Sequence, residues 1–271
     1  MNFTCFSHNG ELRPIGDAVV RLDNIAYSYG YGVYETIRVS NGIVLFTDLH
    51  IQRLLHSAEI IELSHSFSDK FVLEAIEKLV NKNDSGTYNL KILLIGGSNP
   101  ELFIQCLLPH FPDRKLYKNG VACITEHVER EYTQAKTLNM MPSYIANMHA
   151  KDADAFEALL LNSNDEITEG TRSNFFAVKD SEIFTPPASV CLEGVTRLHV
   201  IQLAEKCGFS VVEAPLTLSK IKEYSSVFVT STSFKIMPIR KINAHVWDSP
   251  VSSELKTLMK AYEEFLSGQI N

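Results

Sequence analysis

The fold of this chain is decided by Glu169-Gly170-Thr171-Arg172-Ser173-Asn174-Phe175-Phe176, followed by Ile183-Phe184-Thr185 and then Leu192-Glu193-Gly194-Val195-Thr196-Arg197. The third stretch leads into a predicted helix, because apolar residues recur behind it at helical spacing up to Gly208, which suits a helix C-terminus. The free backbone N–H groups and the positive dipole at a helix start suit an anion such as phosphate. The start of this helix is therefore a candidate phosphate site, although Thr196 as an ordinary N-cap explains the same pattern.

Composition and charge narrow the classes of protein that the rest of the chain allows. The 271 residues are 45% hydrophobic and 21% charged, which is typical of a globular protein of one or two domains. The formal net charge of -7 and the scattered basic residues predict no nucleic-acid or membrane partner. Five cysteines without a C-x-x-C pair, and no apolar segment long enough to span a bilayer, favour a cytoplasmic protein with reduced thiols. The nine histidines lack metal-ligand spacing, so no metal site is expected.

The first half of the chain predicts a mixture of strands and helices. A hairpin is expected around Asn41-Gly42, followed by a helix capped by Thr47 or Asp48. Arg53 lies outside the apolar stripe of this helix, so the sequence alone predicts a solvent-exposed charge there. A second helix and two strands should follow, at Phe71 to Val80, Tyr88 to Ile95 and Leu102 to Leu107.

The second half predicts more strands, interrupted by helices. Helices are expected from Thr196 and from about Ser252. Apolar runs that read as strands occupy Val121 to Ile124, Ala158 to Leu161, Phe175 to Val178, Val211 to Glu213, Val227 to Thr230 and Ile236 to Ile239. Pro109 to Gly120 combines prolines, charges and a final glycine, so we predict domains at 1–113 and 119–271 joined by a linker at 114–118.

The spacing of the three quoted stretches resembles that of the class IV pyridoxal-phosphate aminotransferases, a family that includes branched-chain and D-amino-acid aminotransferases and aminodeoxychorismate lyase. The matching positions are Glu169, Asn174, Phe176, Thr185, Leu192, Gly194, Val195 and Arg197. The likeness extends to Tyr29 to Arg38 and His50 to Leu54 in the first half. It implies fold type IV, an α/β (α+β) arrangement with a small N-terminal α/β domain and a larger C-terminal α/β barrel-like domain. It also implies a homodimer, with the cofactor in the cleft between the domains.

The resemblance also assigns roles around pyridoxal 5′-phosphate, which requires a lysine, a partner for the pyridine nitrogen and a phosphate site. It makes Lys136 the catalytic lysine, with Lys151 as the alternative, and Glu169 the partner of the pyridine nitrogen. Further cofactor contacts are implied for Arg53, Ser173, Asn174, Val195, Thr196 and Thr232, and a substrate contact for Ser233. Tyr34 and Thr36 share a face of one strand and are expected to line the substrate pocket. Arg172 replaces a small or acidic residue of many relatives, and it is a candidate to hold the substrate α-carboxylate or to form a salt bridge outward.

The substrate stays open at this point. The D-amino-acid enzymes carry an Arg-x-His carboxylate trap where this chain has Gly96 to Pro100, and branched-chain enzymes carry a tyrosine where it has Met141. The resemblance implies ping-pong transfer of an amino group between an amino acid, branched-chain or D, and a 2-oxo acid. The alternatives are an aminodeoxychorismate lyase that releases pyruvate and 4-aminobenzoate with help from Thr36, and a catalytically silent protein that binds pyridoxal phosphate.

Overall fold

A computed structural model describes residues 3–20, 22–83, 86–109 and 111–270. The chain divides into two compact units. The first unit consists of Met1–His110, Gln134–Asn139 and Ile270, and the second of Phe111–Thr133, Met140–Gln269 and Asn271. The outer ends of the predicted domains, residues 1 and 271, and His110 of the predicted boundary stretch lie outside the described residues.

The first unit is built on an antiparallel sheet whose strand order is β2-β1-β6-β5-β3-β4. Its elements are β1 (Cys5–His8), β2 (Glu11–Pro14), a 3-10 helix (Ile15–Asp17), α1 (Ile25–Tyr29), β3 (Gly32–Ser40), β4 (Ile43–Val44), α2 (Thr47–Ile60), α3 (Asp69–Lys82), β5 (Tyr88–Ile95) and β6 (Glu101–Leu107).

Local sequence signals explain most of this unit. The predicted hairpin is confirmed: Asn41 and Gly42 take positive φ values of 52° and 81°, and Val39 pairs with Val44 across the turn. The predicted cap of α2 is wrong. Phe46, with a φ of 55°, precedes the helix without a side-chain cap, since the Thr47 hydroxyl donates to the carbonyl of Val44 at 3.1 Å instead.

The core of the first unit lies between one face of the sheet and helices α2 and α3. The predicted stripe of α2 is buried there at Ile51, Leu54 and Ala58. Because side chains alternate along a strand, β3 contributes Val33, Ile37 and Val39 to this core. The opposite face of β3 therefore carries Tyr34, Thr36 and Arg38.

The second unit is built on a mixed sheet in the order β12-β11-β10-β14-β15-β7-β8-β9-β13, with β16 beside β15. The pairs β11/β12, β15/β7 and β7/β8 are parallel. The elements are α4 (Arg114–Asn119), β7 (Val121–His127), α5 (Met141–Asp152), β8 (Glu157–Leu161), β9 (Glu166–Gly170), β10 (Asn174–Lys179), β11 (Glu182–Thr185), α6 (Val195–Lys206), β12 (Ser210–Glu213), β13 (Leu216–Thr217), a 3-10 helix (Leu218–Glu223), β14 (Ser226–Ser231), β15 (Lys235–Ile242), β16 (His245–Val246), a 3-10 helix (Ser249–Val251) and α7 (Ser253–Ile270).

The residues predicted as a linker, 114–118, form most of α4, because the Asp113 side chain caps the helix by accepting a hydrogen bond from the Lys115 amide at 2.8 Å. The linker and the domain bounds stay predictions. One local expectation in the second unit needs correction. Thr196 is not an N-cap, since α6 begins one residue earlier and its N-cap is Gly194. The predicted strands and the mixed α/β fold class are confirmed. Within the described ranges, no helix is both long and apolar enough to cross a membrane.

Candidate active site

Lys136 is held against the start of β3 in the first unit. The backbone amide of Tyr34 donates to the carbonyl of Lys136 at 2.9 Å, and the amide of Lys136 donates to Ser57 Oγ at 3.0 Å. Next to it, Thr137 forms a β-bridge with Val33. These contacts fix the backbone of Lys136 on both sides, and its Nζ lies 4.6 Å from the centroid of the Tyr34 ring.

This arrangement depends on a glycine. A Cβ atom on Gly32 would lie 2.7 Å from the carbonyl oxygen of Leu94 and 2.9 Å from Leu138 Cδ1. The amide of Leu138 also donates to the carbonyl of Gly32 at 2.9 Å, so the segment around Lys136 packs directly on this residue. The alternative lysine, Lys151, lies exposed in the last turn of α5.

A buried carboxylate orients Arg53 from the core side of β3. Glu35 is fully buried and accepts two hydrogen bonds from Arg53, from Nε at 2.6 Å and from Nη2 at 2.9 Å. It also bonds to His50 Nδ1 at 2.8 Å. We call Glu35, His50 and Arg53 the Glu35 cluster. The side chain of Arg53 is only 12% exposed, so its interpretation as a solvated charge is wrong.

The protonation of the Glu35 cluster follows from burial and charge. Burial alone would raise the pKa of Glu35, but Arg53 and His50 beside it hold that pKa well below its ordinary value. Burial lowers the pKa of His50, so the ring is neutral at pH 7 and donates from Nδ1. Sequence reasoning missed the cluster. The available signal was the three-residue spacing of His50 and Arg53, which places both on one face of α2.

In the second unit, Glu169 is a buried carboxylate at the end of β9. Its Oε2 accepts the amide of Leu192 at 3.1 Å, and its Oε1 lies 3.3 Å from Arg130 Nε. Arg130 is held in turn by the carbonyls of Tyr132 and Thr133, at 2.8 and 2.7 Å. The guanidinium stabilises the ionised form of Glu169. No sequence pattern singled out Arg130, because it lies in an irregular loop far along the chain from its partner.

The start of α6 follows Leu192, whose amide bonds to Glu169, and it is shaped by Asn174. Asn174 Nδ2 donates to the carbonyl of Leu192 at 2.7 Å, and a Cβ on Gly194 would run into Asn174 Oδ1. Gly194 caps α6 without a side-chain hydrogen bond, which leaves the amides of Val195 and Thr196 without a side-chain cap. A buried carboxylate and uncapped helix amides, joined through Leu192, fit a group that carries both a protonated ring nitrogen and a phosphate.

Replacing Gly194 with alanine tests this tight packing. The new Cβ must displace Asn174, so we expect a loss of about 1–3 kcal/mol in the free energy of unfolding and weaker binding of pyridoxal phosphate. Urea unfolding and fluorescence titration measure the two effects. The matched control is Gly268→Ala in α7, where the Cβ meets nothing within 4 Å and helix propensity favours alanine. Equal stability of the two variants would contradict the prediction.

The other predicted site residues lie in varied settings. Ser173 is buried and donates to Glu157 Oε2 at 2.9 Å, and Glu157 is a fully buried carboxyl whose pKa is raised by burial. Arg172 is exposed. Thr232 and Ser233 are half-buried in the turn between β14 and β15. The first unit thus holds Tyr34, Thr36, Arg53 and Lys136, and the second holds Glu169, Arg172, Ser173, Asn174, Val195, Thr196, Thr232 and Ser233.

Comparison with known proteins gives consistent results across the chain. The model of the family described as amino-transferase class IV matches residues 32–242. The D-alanine aminotransferase of Bacillus licheniformis is 32% identical over 268 residues, which cover 93% of this chain and 94% of that protein. The branched-chain amino acid aminotransferase from Escherichia coli has a similar structure, with a TM-score of 0.90 and 25% identity over 99% of this chain and 96% of that one.

A further solved structure carries a form of the cofactor. A branched-chain amino acid aminotransferase from T.th., solved with pyridoxamine 5′-phosphate, has a TM-score of 0.92 and 25% identity, and the match covers 99% of this chain and 96% of that chain. The fold type IV expected from the sequence is confirmed by these structures. With a family match over most of its length and a curated relative above 30% identity, the chain belongs to the class IV aminotransferases and is an enzyme dependent on pyridoxal phosphate.

Proposed function

We propose that Lys136 is the catalytic lysine of this aminotransferase, which transfers an amino group between a D-amino acid or a branched-chain amino acid and a 2-oxo acid by a ping-pong mechanism. The observation that carries the proposal is the anchoring of Lys136, whose backbone is bonded on one side to Tyr34 and on the other to Ser57. A lysine that moves a proton between the substrate and the cofactor must keep its position when its amine is no longer bonded to the cofactor. The backbone hydrogen bonds of Lys136 would hold it in that position.

Pyridoxal phosphate, when bound, supplies an aldehyde that bonds to amines and a ring that accepts the electrons left when Cα loses its proton. The Lys136 amine would take the proton from the substrate Cα and return it to C4′ of the cofactor as general base and then general acid. The Tyr34 ring, 4.6 Å from Lys136 Nζ, limits where this amine can move.

The carboxylate of Glu169 would keep the proton on the pyridine nitrogen. Arg130 supports this role because it favours the ionised form of Glu169, which is the form that accepts a hydrogen bond from a protonated ring. The backbone bond from Leu192 fixes the second oxygen of the same carboxylate. The negative charge of Glu169 would thereby keep the pyridine nitrogen protonated in every step of the reaction.

The phosphate of the cofactor would be bound by the guanidinium of Arg53 and by the amides of Val195 and Thr196. Glu35 supports the first contact, because it fixes the plane of the Arg53 guanidinium with two hydrogen bonds. The absence of a side-chain cap on α6 supports the second. Ser173, Asn174 and Thr232 would complete the cofactor contacts, and Tyr34, Thr36, Arg172 and Ser233 would contact the substrate.

Titration of the purified holoenzyme with amino acids identifies the substrate through the absorption spectrum of the cofactor. The curated relative supports D-alanine and the structural relatives support branched-chain amino acids. We expect either D-alanine or L-leucine, but not both, to convert the spectrum to that of the pyridoxamine form, and a 2-oxo acid to reverse the change. Release of 4-aminobenzoate from aminodeoxychorismate without an amino acceptor would establish the lyase instead, and bound cofactor that reacts with neither class would indicate a silent binding protein.

A homodimer is the assembly that we propose for this enzyme. Large apolar side chains of the first unit are exposed, among them Val19 at 74%, Leu22 at 95% and Tyr29 at 77%. Apolar surface of this kind favours association, and light scattering would give the mass in solution.

The proposed location is the cytoplasm, and this proposal rests on five cysteines that form no disulfide.

A further inference from the structure

Lys91 is a second lysine beside Lys136. It lies in the middle of β5, and its neighbours Leu90 and Ile92 are fully buried in the core that contains α2 and α3. Because side chains alternate along a strand, Lys91 lies on the other face of the sheet. Its Cα partner on β3 is Thr36. Lys91 therefore shares a face with Tyr34 and Thr36, two residues that the sequence assigns to the substrate.

The amines of the two lysines share one aromatic ring. Lys91 Nζ lies 3.5 Å from the centroid of the Tyr34 ring, and Lys136 Nζ lies 4.6 Å from the same centroid. The distance between the two nitrogens is therefore at most the sum of these two distances. A ring face attracts a cation, but two ammonium groups this close repel each other.

The surroundings of Lys91 favour an anion. Within the described part of the chain, no carboxylate lies within ion-pair distance of Lys91 Nζ. Glu35, the carboxylate whose charge acts on it, is bonded to Arg53 and His50. Burial lowers the pKa of Lys91 to about 8, and the charge of Lys136 acts in the same direction. The amine is still mostly protonated at pH 7, so a carboxylate brought to it gains a charge-assisted hydrogen bond.

We propose that the Lys91 ammonium binds the α-carboxylate of the amino acid and of the 2-oxo acid. This assignment rests on the proposed function, in which Lys136 Nζ marks the position of the reacting nitrogen. In an amino acid, two bonds of about 1.5 Å and a C–O bond of about 1.2 Å separate that nitrogen from a carboxylate oxygen, and a charge-assisted hydrogen bond adds about 2.8 Å. The binding group therefore belongs within roughly 7 Å of Lys136 Nζ, which is compatible with two amines that share the Tyr34 ring.

Two observations favour Lys91 over other cations for this role. The stretch Gly96 to Pro100, which follows β5, carries no basic residue. Arg172, the other cation that the sequence offers for a carboxylate, is exposed. Thr36 lies directly opposite Lys91, and its hydroxyl is on the face where a carboxylate bound to Lys91 would lie. Every amino acid and 2-oxo acid carries an α-carboxylate, so the contact serves both halves of the reaction.

The test compares holoenzymes in which only the charge at position 91 differs. Lys91→Gln removes the ammonium, Lys91→Arg keeps a cation, and Lys70→Gln is the control because Lys70 is exposed on α3. We expect Lys91→Gln to raise KM about ten- to a hundredfold for pyruvate and 2-oxoglutarate alike, the range expected for a lost charged hydrogen bond, with a much smaller change in kcat. Lys91→Arg should recover most of this loss, and Lys70→Gln should match the wild type.

Binding of propionate, measured by calorimetry, gives a readout that does not depend on turnover. Its dissociation constant should rise by a similar factor in Lys91→Gln. An unchanged KM, an increase confined to 2-oxoglutarate, or an equal loss in Lys91→Arg would overturn the assignment. If Lys91→Gln does not retain the cofactor spectrum, Lys91→Met provides a second variant without the charge. A wild-type enzyme that converts no amino acid would refute the proposed function, whereas propionate binding would still decide whether Lys91 holds a carboxylate.

Discussion

Replacing Lys136 with alanine is expected to abolish transamination and the covalent link between protein and cofactor. The rate should fall by at least about 10³-fold, because the variant lacks the amine that, in the proposed mechanism, bonds to the cofactor and acts as general acid and base. Borohydride reduction followed by peptide mass spectrometry measures the link directly. In the wild type the cofactor should be fixed on the peptide that contains Lys136, and in the variant no peptide should carry it.

The fold of this variant should persist. The bonds that hold residue 136 to Tyr34 and Ser57 use its backbone, which alanine retains. Lys151→Ala is the matched control, because Lys151 is exposed on α5 and its removal should leave both rate and adduct unchanged. A reducible adduct that survives in Lys136→Ala and moves to Lys151 would reverse the assignment of the catalytic lysine.

Sequence reasoning located the elements of this fold where their signals are local. The hairpin at Asn41-Gly42 was predictable because a two-residue turn with positive φ favours these residues. Helix α3 was predictable because Ser68 caps it and its apolar residues follow helical spacing. The start of α2 was not, because Phe46 takes a positive φ there while Thr47 bonds backwards to Val44.

The candidate site was predictable only in part, and for a different reason. The roles of Lys136, Glu169 and Arg53 rest on the resemblance to a family and stay predictions, since composition and periodicity give a lysine or an arginine no role. Their supporting partners were not found. The Arg130 to Glu169 contact joins an irregular loop to the end of a strand, and Lys91 meets Tyr34 only because β5 pairs with β3. The first contact depends on the path of a loop and the second on strand register, and the sequence patterns specified neither.

Replacing Glu35 with glutamine is expected to lower the free energy of unfolding by about 3–5 kcal/mol, because it removes one charge from a buried ion pair. The amide keeps the shape of the side chain but leaves the Arg53 guanidinium without its carboxylate, and that guanidinium is only 12% exposed. If Arg53 also binds the cofactor phosphate, the variant should bind pyridoxal phosphate more weakly. Urea unfolding and a cofactor titration measure the two effects.

Glu59→Gln on the same helix is the matched control. Glu59 is 81% exposed and pairs with His56, which is also exposed, so removing its charge should change stability by less than about 1 kcal/mol. A loss of similar size in the two variants would show that the Glu35 cluster contributes no more than a surface pair.

The pH dependence of the difference in unfolding free energy between wild type and Glu35→Gln tests whether the charge of Glu35 is its source. The pKa of Glu35 is lowered in the folded protein, so the stability that its charge contributes is fully present above the ordinary value of 4.5 and is lost as the pH falls towards the folded pKa. The gap between wild type and Glu35→Gln should therefore be constant near neutral pH and should narrow below about pH 4.5. Burial also lowers the folded pKa of His50, so this ring destabilises both proteins as the pH falls below its ordinary value of 6.5. The Glu35 charge partly offsets that lowering in the wild type, so His50 by itself widens the gap and cannot cause the expected narrowing. A gap that stays the same at low pH would mean that the loss comes from packing of the amide, because the charge on Glu35 is then no longer the difference between the two proteins.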